Sequence, residues 1–148
     1  MARPSLLSKY TETMPRDYFG RFEALYLKHI YERVQLRCPM AVDVAVEYMC
    51  TSTRGFGHNR FRSKISRQLK HVKLSKQQES RMLHTILNRF SAGDIDEQFI
   101  EQLRFALWLN REQTTGVANG LLSCEKSYVQ KYAKKVLRLG ISSVQRNT

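Results

Sequence analysis

Apolar residues recur at intervals of three and four along most of this chain, and no segment alternates convincingly at two, which restricts it to an all-α fold. Tyr18, Phe22, Leu25, Tyr26, Ile30 and Val34 share one helical face, predicting a helix from Pro15–Asp17 to about Leu36. Pro39 ends it and suits the first turn of the next helix, which runs from Met40 to Cys50 and is rich in Ala and Val. Residues 51–59, with Gly55 and Gly57, read as a loop, and a third helix follows from Arg60 to Val72. Ser75 and Gln78 have capping-box spacing before a fourth helix using Met82, Leu83, Ile86, Leu87 and Phe90, closed by Gly93. Asp94 and Glu97 form a second such pair, expected to open a fifth helix through Leu109. Gly116 and Gly120 bracket a looser stretch with room for a short helix. The last helix is expected from Ser123 to Leu139, ended by Gly140.

At 148 residues the chain is long enough for one domain with a true core. The expected organisation is a flexible arm over 1–14, a single helical domain over 15–140 and a flexible tail over 141–148. Within it the fifth helix is apolar nearly all round: Phe99, Ile100, Leu103, Ala106 and Leu107 make one stripe, and Phe105, Trp108 and Leu109 occupy the other sides. Such a helix belongs at the centre of the packing, with Trp108 in the core. The competing reading of Trp108 is a protruding partner anchor or base-stacking platform.

Charge carries the functional argument. There are 25 Lys and Arg against 13 Asp and Glu, a net charge of +12, and self-repulsion of that size is relieved by an anionic partner. Eight of the cations, Arg54, Arg60, Arg62, Lys64, Arg67, Lys70, Lys73 and Lys76, lie in one acid-free run. On a helical wheel Phe61, Ile65, Leu69 and Val72 fall within roughly an 80° stripe, leaving the cations on the remaining arc. The last helix repeats the plan, with Val129, Tyr132, Ala133, Val136 and Leu137 on its apolar side and Lys131, Lys134, Lys135 and Arg138 on the other. Cations one helical turn apart, about 5.4 Å, match phosphates along a strand. The expected ligand is therefore nucleic acid, RNA in preference to DNA, with Phe56, His58 and Asn59 of the preceding loop placed to contact bases.

Three short resemblances accompany this reading. Arg54-Gly55-Phe56-Gly57 resembles the opening of the RNP1 motif, but the strand and sheet that motif requires are absent, and the family is rejected. Ser63-Lys64-Ile65-Ser66-Arg67-Gln68-Leu69-Lys70 resembles the recognition helix of bacterial helix-turn-helix regulators, although the preceding loop is too long for that family. Val129-x3-Ala133-x3-Leu137 is similar to the inner helix of a HEAT-type repeat. The fold expected is thus a compact bundle of five to six helices, with a short HEAT-like α-solenoid as the alternative, and no family is claimed.

Catalysis has no foothold. His29, His58, His71 and His84 are scattered, Cys38, Cys50 and Cys124 show no paired spacing, and neither a phosphate-binding glycine loop nor a nucleophile elbow is present. No metal, no cofactor and no enzymatic activity are expected. Asp94, Asp96, Glu97 and Glu101 suit the start of a helix better than a paired acid/base site. Free cysteines and the lack of a long apolar run point to an intracellular protein without a membrane span, cytoplasmic or nuclear, with the mitochondrial matrix as a further compartment. An acidic protein surface, met by an adaptor, a solenoid module or a subunit of a ribonucleoprotein assembly, is the alternative partner.

Overall fold

The apolar periodicity is realised as helix throughout. A computed structural model describes residues 16–51, 58–95 and 98–146, and among them the side chains of all but 16–25, 59 and 142–146. Seven helices and no strand occur among the described residues: α1 Arg16–Gln35, α2 Pro39–Cys50, α3 His58–Leu69, α4 Lys76–Ala92, α5 Phe99–Leu109, α6 Arg111–Leu121 and α7 Ser127–Arg146. The chain divides into two compact units, Met1–Leu74 and Ser75–Thr148, where the sequence suggests one domain over 15–140. The arm expected over 1–14 lies outside the described residues.

In the first unit α1, α2 and α3 pack against one another pairwise. Helix α1 buries Leu27, Ile30 and Val34, and α2 buries Ala41, Val42, Val44, Ala45, Val46, Tyr48 and Met49, as its scarcity of charge requires. Between them the chain reverses through a Schellman turn. Arg37 N–H donates to Val34 O at 2.9 Å and Cys38 N–H to Arg33 O at 3.0 Å, with Arg37 at φ 59° in the left-handed region. Pro39, whose missing N–H costs nothing in a first turn, then starts α2.

In the second unit α5 packs against α4, α6 and α7, the central position its all-round apolar pattern implies. The Ser75–Gln78 capping box is present in both directions, at 3.1 Å and 3.0 Å. Gly93 ends α4 at φ 73°, with its N–H on Phe90 O and that of Asp94 on Arg89 O. Tyr128 Oη donates to Gly93 O at 2.9 Å, tying the start of α7 to this turn.

The stretch holding Gly116 and Gly120 does form the short helix it has room for, α6, because Asn110 caps it by accepting from Gln113 N–H at 3.0 Å. Three expectations need correction. Helix α7 does not stop at Gly140 but continues to Arg146, which removes most of the expected tail. Gly140 is buried within it, and a Cβ there would stand 2.9 Å from Thr115 Cγ2 of α6, so the glycine permits close helix packing rather than termination. Helix α5 starts at Phe99 with Gln98 as its cap and no side-chain cap bond, past the Asp94–Glu97 pair; Asp96 and Glu97 lie outside the described residues. Trp108 is not in the core: it is 49% exposed, beside a fully buried Phe105.

Candidate nucleic-acid interface

Helix α3 begins at His58, two residues earlier than the loop-like sequence suggests, and ends at Leu69. Its inward face is set by His58, Arg62, Ile65, Ser66 and Leu69, with Ser63 beside them, all buried. This face is rotated from the purely apolar stripe: Phe61 and Val72 are only half-buried, and Arg62, expected on the cationic ridge, is 4% exposed. The reason is a set of internal partners that hydropathy cannot show. Arg62 Nη2 donates to Thr51 O at 3.1 Å, and its guanidinium lies over the Tyr48 ring, 5.1 Å from the centroid. A buried cation is retained only with such compensation. Ser66 Oγ donates to the Arg62 carbonyl at 2.6 Å, satisfying the helix hydroxyl locally.

His58 joins the same cluster. Its Nδ1 is 2.7 Å from Tyr48 Oη, which also donates to the His58 carbonyl at 3.1 Å. Burial lowers the imidazole pKa below its ordinary value of 6.5, and the Arg62 charge lowers it further. A neutral ring sealed against Tyr48 is a strut between α2 and α3, so His58 leaves the set of base-contacting residues, as Arg62 leaves the cationic ridge. Arg54 and Phe56 lie outside the described residues, and Asn59 is placed in the first turn of α3 by its backbone alone.

What remains on the solvent side of α3 is Arg60, Lys64 and Arg67, at i, i+4 and i+7 on one stripe. Lys64 Nζ sits 5.8 Å from the Phe61 ring centroid. Lys70 is half-exposed in the turn after the helix, and Lys73 is exposed beyond it.

Helix α7 follows its sequence pattern closely. Val129, Ala133 and Val136 are fully buried and Tyr132 and Leu137 half-buried, while Lys131, Lys134 and Arg138 are exposed on the opposite side. Lys135 is half-buried at the flank, with Nζ 5.5 Å from the Tyr132 ring centroid. No Asp or Glu occurs anywhere from Ser127 to Arg146. The helix therefore docks by one face and offers water a row of positive charge.

Sequence reasoning did not anticipate a third feature of the second unit. An open groove of about 770 Å³ is lined by Lys76, Arg81 and His84 of α4 and by Leu109, Asn110 and Gln113 at the α5–α6 junction, with Glu79 as its one lining carboxylate. Its two walls are more than twenty residues apart in the chain, so no local motif announces it. Among the described residues there is no cluster of three or more His, Cys, Asp or Glu suited to a metal, and no helix long and apolar enough to cross a membrane. Cys38, Cys50 and Cys124 are free thiols.

No protein-family model, curated protein or solved structure matches the chain.

Proposed function

We propose that this chain binds nucleic acid, RNA in preference to DNA, by contacting the phosphate backbone with the exposed cations of α7 and, in the first unit, of α3. The observation that carries this reading is the acid-free row Lys131, Lys134 and Arg138 on a helix whose other face buries Val129, Ala133 and Val136. Successive members rise by about 4.5 Å and 6 Å along the axis, close to the phosphate spacing of a strand. Arg60, Lys64 and Arg67 repeat the device with rises of about 6 Å and 4.5 Å. Contacts of this type set position and affinity and read no sequence. RNA is favoured because neither a helix-turn-helix spacing nor a dimer signature accompanies the charge.

The test is a fluorescence-anisotropy titration of single-stranded RNA, single-stranded DNA and duplex DNA across a salt series. If six phosphates are neutralised, the log–log slope is about −4 on single strands and about −5 on duplex DNA. The triple reversal Lys131→Glu, Lys134→Glu, Arg138→Glu removes about two units of slope on a single strand and leaves the fold intact, because all three side chains face solvent. Silence on all three ligands at low salt overturns the reading and makes an acidic protein surface the partner to seek.

A further inference from the structure

Trp108 is the only tryptophan in the chain, and the fold leaves it half exposed on a helix that packs against three others. Its indole is not a loose side chain. It lies nearly parallel to the ring of Phe105, at an interplanar angle of 12° and a centroid distance of 6.0 Å, and Phe105 itself is fully buried. The exposed ring is thus held in orientation by an aromatic anchored in the core.

One turn earlier than Trp108 on the same face, Arg104 is exposed, with Nη1 2.8 Å from Glu101 Oε1. Immediately after Trp108, Leu109 and Asn110 enter the wall of the groove that Lys76, Arg81, His84 and Gln113 complete. The groove that Leu109 and Asn110 enter carries guanidinium, ammonium, imidazole and amide groups against one carboxylate, Glu79, and the former are the donors that phosphates and base edges accept from.

We propose that Trp108 is a stacking platform for an unpaired base of single-stranded nucleic acid, with the adjoining groove receiving the backbone and edge groups of the neighbouring nucleotide. The site rests on the nucleic-acid reading of the chain and adds to it a preference for single strands, since a base inside a duplex has no free face to stack. A cavity of about 770 Å³ lies in the range of small-molecule sites and has room for one nucleotide.

One titration with two readouts separates the two claims. The whole chain is titrated with labelled oligouridine, oligoadenosine and an RNA duplex, following probe anisotropy for binding and tryptophan fluorescence for stacking. With a single tryptophan, any quench reports on this site. Single strands are expected to quench the emission and the duplex to leave it nearly unchanged. Trp108→Ala should weaken single-strand binding about 5- to 150-fold, the range of one base–aromatic stack, and leave duplex binding as it was. Trp108→Phe should keep part of the difference, and because it retains a ring on Phe105 it controls for folding. Anisotropy that shows binding without a quench, or a Trp108→Ala variant that binds single strands as the parent does, overturns the stacking site while the nucleic-acid reading stands. Absence of binding to every probe overturns both.

Discussion

Helices α3 and α7 carry the densest positive charge in the chain, and they are built on different plans. In α7 the two faces divide by chemistry: Val129, Ala133 and Val136 go inward and Lys131, Lys134 and Arg138 stay in water. In α3 the inward face is itself largely polar, with His58, Arg62, Ser63 and Ser66 buried beside Ile65 and Leu69. Lys131 and Lys134 of α7 stand exposed to water. Arg62 is unavailable because Tyr48 and the Thr51 carbonyl already hold it. Residue type alone therefore does not assign a cation to an interface; the partners on the side it faces decide.

Substituting matched cations breaks or sharpens this contrast most directly. Arg62→Ala removes a buried donor, leaves the Thr51 carbonyl at the end of α2 without it and opens a void over Tyr48. A loss of roughly 2–4 kcal/mol in urea unfolding is expected. Lys134→Ala, on an exposed face, should stay within about 0.5 kcal/mol of the parent and lower nucleic-acid affinity instead. If Arg62→Ala unfolds like the parent, the inward cluster does not fix α3, and the difference between the two helices disappears. The same cluster responds to pH. Because the folded His58 titrates below 6.5, unfolded chains take up a proton first as pH falls below that value. The contribution of neutral His58 to stability is complete above pH 6.5 and is lost progressively as pH falls through the folded pKa. Urea midpoints of the parent should drop just below 6.5 relative to those of His58→Gln. Parallel curves would mean the imidazole is not sealed.

This contrast also explains what could be read from the chain beforehand. Helical class, the burial of α2, the Ser75 capping box, the Gly93 turn and both faces of α7 were legible because each is a local pattern of spacing or a cap within four residues. The inward side of α3 was not, since Arg62 and His58 are held by Tyr48 and Thr51 from the preceding helix and its cap, ten or eleven positions away. Trp108 was misplaced for a related reason. An all-round apolar helix implies neighbours on most sides, but not which residue stays half exposed. The candidate ridge on α7 was therefore foreseeable, while the groove and the exposed indole required the fold.

Glycines extend the argument from cations to backbone. The spacing of Gly140 suggests a helix terminator, but the residue is the contact point of α7 with Thr115, where a Cβ would lie at 2.9 Å. Gly140→Val is expected to force the two helices apart at a cost of about 1–3 kcal/mol, measured as a lowered urea midpoint. An unchanged midpoint would show that Thr115 rotates away freely and that the packing of α6 on α7 does not depend on the missing side chain.

Gly116 supplies the matching case with the opposite sign. It lies within α6, faces solvent, and a Cβ added there meets nothing within 4 Å. Its only effect on the helix is the extra freedom it gives the unfolded chain, so Gly116→Ala should stabilise the protein by about 0.5–1 kcal/mol. Gly120→Ala, with equally open surroundings, should add a similar increment. Both gains are read from the midpoint of urea unfolding at unchanged slope. A gain at Gly116 with a loss at Gly140 would establish that the glycines of the second unit, like the cations of α3 and α7, differ by the side they face rather than by residue type. A loss at both would mean that α6 is held less regularly than its Asn110 cap implies, and the opposition between facing inward and facing water would not extend to the backbone.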